Sequence, residues 1–198
     1  MLLSKLKNKK IILGSASPRR QELLKSLGID FEIRVSDLKE KYPKNLKEKE
    51  ISEFLATQKS EHLSKMLKGE ELLITADTIV VKGDRVLNKP KDKLEAKEML
   101  EYLSGDEHLV ITSVCLRDQQ NQVVFSSVTK VFFKSLSAAE IDFYVKEYKP
   151  FDKAGAYGIQ EWIGLVGIEK IEGSYFNVVG LPVVKLYQKL IQFVALLR

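Results

Sequence analysis

A chain of 198 residues with 44% hydrophobic content is long enough to bury a sizeable core and reads as one globular domain spanning residues 1–198. Lysine and arginine exceed aspartate and glutamate by 32 − 27 = 5, which favours anionic partners, but the basic residues sit in separate loops among acids rather than in the clustered stripe of a nucleic-acid surface. The single cysteine, Cys115, excludes an internal disulfide and a cysteine-based metal site, and beside Val114 and Leu116 it reads as a small buried hydrophobe in a reducing compartment.

The opening ten residues carry four lysines and too short an apolar run for a signal peptide. No stretch approaches about 18 apolar residues, so the expected location is the cytoplasm and no membrane partner is expected. Ile11-Ile12-Leu13 reads as a strand, and Gly14-Ser15-Ala16-Ser17-Pro18-Arg19-Arg20 as a tight loop opening a helix. Pro at the first helical position loses no needed hydrogen bond, and Ser17 before it is a favoured N-cap. Arg19 and Arg20 in the first turn oppose the helix dipole, and the pattern points to an anion at the helix start. The competing reading is two solvated arginines on an ordinary turn.

After a helix ending near Gly28, residues 31–35 alternate as a half-buried strand does, and residues 36–45 form a charged loop. Asp37 and Glu40 in that loop are either solvated charges or metal ligands. Residues 47–68 read as a helix with Ile51, Phe54, Leu55, Leu63, Met66 and Leu67 on one stripe. Lys59 lies four residues from both Leu55 and Leu63, so it either snorkels outward or meets an anion.

The apolar run Leu72-Leu73-Ile74-Thr75-Ala76 ends in Asp77-Thr78 before a second run, Ile79-Val80-Val81. An acid at such a break is either hydrogen-bonded structurally or a functional carboxylate, because burying it unpaired is costly. Gly83-Asp84 reads as a turn, Asn88-Lys89-Pro90 as a loop, residues 93–103 as an amphipathic helix, and residues 109–116 and 123–134 as an antiparallel hairpin. Ser137-Ala138-Ala139-Glu140 is a capping box opening a helix over residues 138–148. There follow a small-residue loop with Lys153 and Gln160, an apolar run over residues 163–171 interrupted by two glycines, the stretch of residues 173–182, and a last helix with Val183, Leu186, Leu190, Phe193 and Leu197 inward. His62 and His108 read as surface or packing residues.

Strands alternating with helices, with polar loops leaving strand ends, argue an α/β protein with a cleft at those ends. Cations at Arg19, Arg20, Lys59, Lys89 and Lys153, with acids at Glu32 or Glu40 and Asp77, are what a polyphosphate and a divalent metal require.

The chain resembles the Maf family of nucleoside triphosphate pyrophosphatases in Gly14–Arg20 with Glu22-Leu23-Leu24, Ala76-Asp77-Thr78, Asn88-Lys89-Pro90, residues 153–160 and residues 173–182. The loop of residues 154–160 and the segment Asn177-Val178-Val179-Gly180-Leu181-Pro182 resemble the branch acting on dTTP and UTP. Asn88 and Glu161 depart from the family pattern, each standing where glycine is usual.

The resemblance implies a mixed sheet flanked by helices, two lobes around a central cleft, and often a homodimer. It implies Asp77 as proton acceptor, with Arg19, Thr78 and Gln160 shaping substrate choice. Ser15, Ser17, Arg20, Lys59, Lys89 and Lys153 would bind phosphates, and Mg²⁺ or Mn²⁺ would be held by Asp77 with Glu32 or Glu40. The implied reaction is water attack on the α-phosphorus, releasing pyrophosphate. The competing class is a non-enzymatic regulator of division and septum formation, or a nucleic-acid-binding protein.

Overall fold

The computed structural model describes residues 6, 9–38 and 40–196. Leu197, expected on the inner face of the last helix, and most of the basic opening segment lie outside the described residues. Strand β1 (Lys10–Leu13) leads into helix α1 (Pro18–Ser26), strand β2 (Phe31–Ile33), helix α2 (Glu48–Ser64) and strand β3 (Glu71–Lys82). Strand β1 pairs in parallel with both β2 and β3, Ile12 standing beside Glu32 on one side and Leu73 on the other. Parallel neighbours need long crossovers, and α1 and α2 are those crossovers.

Strand β4 (Arg85–Leu87) folds back antiparallel on β3, followed by helix α3 (Lys93–Leu103). Strands β5 (Glu107–Arg117) and β6 (Gln122–Phe133) are joined by residues 118–121 alone, a connection too short for anything but the expected antiparallel hairpin. Then come helix α4 (Ala138–Tyr148), a 3₁₀ turn (Ala154–Ala156), helix α5 (Trp162–Gly167), strand β7 (Ile168–Glu172), and helices α6 (Tyr175–Val179) and α7 (Val183–Leu196). The seven strands form one mixed sheet in the order β2-β1-β3-β5-β6-β7, with β4 paired to β3.

The chain divides into two compact units: residues 1–77, 112–127 and 180–198, and residues 78–111 and 128–179. In the first unit the period-two alternation of β1 and β3 assigns each face its cover. Ile11, Leu13, Leu72, Ile74 and Ala76 pack with Leu24 of α1 and with Leu186, Leu190 and Phe193 of α7. Ile12 and Leu73 face the other way, onto Leu63 of α2 and Leu67. The second unit has its own core, in which Val80, Leu87, Leu100, Leu103, Val131 and Phe133 meet Ile141, Tyr144 and Val145 of α4.

Three expectations are corrected. Residues 71–82 are one unbroken strand, so Asp77 sits inside a ladder rather than at a break: pairing uses the backbone, and the side chain is satisfied separately. Helix α2 stops at Ser64, and Met66 is exposed while Leu67 is buried beyond the helix end. The buried face of α2 also contains Ser52 and Ser60, which hydropathy counts as polar but whose small size allows close approach. Strand β2 ends at Ile33, two residues early, although the Arg34 amide still bonds Leu13 O at 3.1 Å.

Candidate active site

Asp77 is placed by strand parity. It follows Leu73 and Thr75 on the face of β3 covered by α2, where the Thr75 hydroxyl donates to Ala56 O at 2.7 Å. Gly14 permits this closeness, since a Cβ there would stand 2.6 Å from Thr75 Cγ2 and 2.8 Å from Leu63 Cδ1. One turn beyond Ala56, Lys59 reaches Asp77 and donates a short hydrogen bond to its Oδ1. The same ammonium pairs with Glu40 Oε1 at 2.8 Å. The Lys59 stem therefore follows the apolar stripe and ends on acids. Burial pushes the Asp77 carboxyl above the ordinary carboxylate range, and the charges of Lys59 and Arg20 pull against that rise.

Helix α1 begins at Pro18 as expected, but the Ser17 side chain makes no cap bond. The Ser17 amide instead donates to Ser15 Oγ at 3.3 Å. Arg20 points back along the loop, donating from Nη1 to the same Ser15 oxygen at 3.3 Å and to Ala76 O at 2.9 Å, and from Nε to Gly180 O at 2.9 Å. The structure shows a half-buried guanidinium that fixes the peptide directly before Asp77. Arg19 lies beside it, half-buried in the first turn of α1.

The two acids proposed beside Asp77 lie apart. Glu40 shares Lys59 with it. Glu32 stands in register with Ile12 and Leu73, four residues before Asp77 along β3, or about 13 Å of strand. Its carboxylate pairs with Lys10 and with Arg34 Nε at 2.8 Å. Arg34 in turn grips the buried Glu71 with two bonds of 2.7 and 2.6 Å, holding that carboxyl down to about 2. Glu32 is thus held in an ion cluster with Lys10 and Arg34, whereas Asp77 and Glu40 share Lys59. Among the described residues no group of three or more His, Cys, Asp or Glu is arranged to hold a metal by itself. Two carboxylates suit a hard divalent cation that takes its remaining ligands from phosphate oxygens and water, the usual habit of Mg²⁺.

In the second unit, the Gly155 amide donates to Asn88 O at 3.3 Å, pinning the loop of the exposed Lys89 to the loop that carries Lys153. Gly155 has φ +69°, and a Cβ there would meet Val80 at 3.0 Å, so only glycine suits this turn. Lys153 is buried, with its ammonium 2.8 Å from Asp152 Oδ1 and 3.0 Å from Glu161 Oε1. Gln160 is exposed and Thr78 half-buried, on the opposite face of β3 from Asp77 by strand alternation.

Sequence reasoning missed two contributors, and it read a third correctly. The carbonyl-binding role of Arg20 has no signature, because its partners are backbone atoms 56 and 160 residues away. Tyr144 donates to Glu161 and accepts the Gly158 amide at 3.0 Å, a bridge that the amphipathic pattern of α4 cannot announce. His108, read as a surface or packing residue, is a packing residue: it is buried edge-on against Phe133 and Tyr157, with Nε2 2.7 Å from the Tyr157 hydroxyl, and burial pushes its pKa down to about 3.

The profile of the family described as Maf-like protein matches residues 10–193. A protein of Christiangramia forsetii named dTTP/UTP pyrophosphatase is 51% identical over 190 residues, covering 96% of this chain and 97% of its own length. Proteins of the same name from Flavobacterium johnsoniae and Parabacteroides distasonis are each 50% identical, over 96% and 97% of this chain and 98% and 100% of theirs. Among solved structures, that of the Staphylococcus aureus Ham1 protein aligns with TM-score 0.53 over 93% of this chain and 99% of its own, at 16% identity, a likeness of fold alone.

Proposed function

The chain belongs to the Maf family, and from that premise we propose that it is a nucleoside triphosphate pyrophosphatase converting dTTP and UTP to the monophosphate and pyrophosphate. The observation that carries this reading is half identity, over nearly the whole chain, to proteins named for that reaction.

The first unit supports the chemistry. Water attacks the α-phosphorus, its proton passes to Asp77, and pyrophosphate leaves. A buried carboxyl with a raised pKa is better matched to taking that proton near neutral pH than an exposed one. Lys59 keeps the carboxylate oriented, and Arg20 holds the Ala76 peptide so that the carboxylate does not drift. Asp77 and Glu40 would hold Mg²⁺ or Mn²⁺ together with phosphate oxygens, and the ion when bound would neutralise charge on the phosphates.

The reading assigns phosphate to Lys89 and Lys153, and the base to Gln160 together with Arg19 and Thr78. Lys153 offers a fixed ammonium, since Asp152 and Glu161 already hold it. Among the described residues no helix is long and apolar enough to cross a membrane. We extend the reading to a cytoplasmic enzyme and, by the family resemblance, to a homodimer, which sedimentation would check.

The decisive experiment incubates the protein with dTTP, UTP, CTP, ATP and GTP in the presence of Mg²⁺ or Mn²⁺ and separates the products. Monophosphate and pyrophosphate from dTTP and UTP are expected. Release of inorganic phosphate alone, or no turnover together with nucleic-acid binding that weakens steeply with salt, would overturn it.

A further inference from the structure

We propose that Tyr144 is a positioning residue for the substrate phosphates, acting through Glu161 on the Lys153 ammonium; this rests on the function proposed above, in which Lys153 binds phosphate. A lysine carries a compact charge on a flexible stem, so its ammonium meets a phosphate in one place only if something else fixes it.

Two carboxylates take up Lys153, and they are unequal. Asp152 is its neighbour in the chain and its side chain is 56% exposed, so water competes for that contact. Glu161 comes from further along the loop, is 19% exposed, and stands 3.0 Å from the ammonium through Oε1. Its other oxygen, Oε2, accepts from the Tyr144 hydroxyl. That hydroxyl in turn accepts the Gly158 amide at 3.0 Å.

The ends of this chain of bonds settle its polarity. The Gly158 amide can only donate, and a carboxylate paired with an ammonium can only accept, so the single Tyr144 hydroxyl proton points at Glu161. Burial first, and then the neighbouring carboxylate, push the pKa of that hydroxyl up and keep the proton on it. Tyr144 is itself fully buried and stacks on Tyr148, with ring centres 5.1 Å apart and planes at 24°. A rigid ring therefore fixes one oxygen of Glu161 while the other fixes Lys153. Two of the three ammonium hydrogens face Asp152 and Glu161, which leaves the third for a phosphate oxygen. The family pattern has glycine where this chain has Glu161, and glycine offers no carboxylate to carry such a relay.

A double-mutant cycle tests the relay, because Tyr144 is argued to reach the phosphates only through Lys153. KM and kcat for dTTP are measured in wild type, Tyr144→Phe, Lys153→Ala and the double variant, with thermal melting as a check of folding. Tyr144→Phe removes one hydrogen bond to Glu161 and is expected to raise KM about two- to tenfold, with kcat staying within about twofold of wild type. In the Lys153→Ala background the same change should leave KM where Lys153→Ala put it. A general loosening of the second unit would instead multiply KM by the same factor in both backgrounds, and that result overturns the inference. Glu161→Gly, which installs the residue usual in the family, should raise KM at least as much as Tyr144→Phe, and it decides alone if Tyr144→Phe does not fold. A KM unchanged or lowered in the folded variants overturns the inference, while turnover of dTTP and UTP leaves the proposed function intact. A wild type inert toward every pyrimidine triphosphate overturns the function itself.

Discussion

Each unit of the molecule holds a lysine ammonium between two carboxylates, yet the two arrangements are not equivalent. In the first, Lys59 joins Asp77 and Glu40, and the most enclosed member is the acid: the Asp77 side chain is 8% exposed, Lys59 14% and Glu40 41%. In the second, Lys153 joins Asp152 and Glu161, and the most enclosed member is the cation, 9% exposed against 56% and 19%. Burial penalises whichever charge it surrounds. Around Asp77 it raises the affinity of a carboxylate for a proton, which suits the base proposed there. Around Lys153 it leaves a cation pinned by acids that stay nearer to water, which suits a fixed phosphate ligand and a clamped loop.

The largest test of this contrast is paired carboxyl-to-amide replacement. Asp77→Asn preserves shape and removes the proposed proton acceptor, so kcat should fall about 10²–10⁴-fold while circular dichroism stays native. Glu161→Gln should leave most of the UTP turnover. Comparable losses from both would mean that the two triads do the same work.

Exchanging the cations comes next. Lys153→Ala should raise KM for dTTP, since truncating one partner of a desolvated charge pair costs about 2–5 kcal/mol. Lys89→Ala, at an exposed position, should cost less. Lys59→Met acts through Asp77 instead. Lys59 and Arg20 lower the Asp77 pKa against the rise caused by burial, so removing Lys59 moves it further up. The base must be deprotonated, and the acid limb of the kcat/KM profile should therefore shift to higher pH. A limb that stays in place, or shifts down, would remove Asp77 as the titrating base.

Much of the fold was legible because local rules and tertiary context agree. Helices α3 and α4 begin and end as their caps and apolar spacing require, Asp92 accepting from Glu95 at 2.9 Å and Ser137 pairing with Glu140. The extent of β3 was not legible, since an aspartate in mid-strand contradicts strand composition and is tolerated only because Lys59 arrives from a helix 18 residues earlier. The same limit applied to the acids. Glu32 and Glu40 look alike in sequence, and only strand register separates the one bound to Arg34 from the one bound to Lys59. Arg20 showed a charge at a helix start, whereas its donors turn back onto carbonyls supplied by β3 and by Gly180.

The smallest expected effect concerns stability and separates the units by pH. His108, 2% exposed, is neutral in the folded second unit, with its pKa held down to about 3 by burial, against about 6.5 in an unfolded chain. Between those values the unfolded state binds a proton that the folded state refuses, so stability falls as pH falls, by at most about 1.4 kcal/mol per pH unit. Glu71 in the first unit, held down to about 2 by Arg34, contributes stability present above its unfolded value near 4.5, which is lost only as pH falls from there toward 2. Denaturant midpoints between pH 6.5 and 5 should therefore slope because of His108 and not because of Glu71. His108→Phe lowers the baseline, because the Tyr157 hydroxyl loses its 2.7 Å partner, but it should flatten that slope. Glu71→Gln should leave the slope unchanged and weaken the dependence below pH 4.5. A His108→Phe protein with the wild-type slope would show that the imidazole takes up its proton in the folded state, and that the core around Phe133 and Tyr157 admits water.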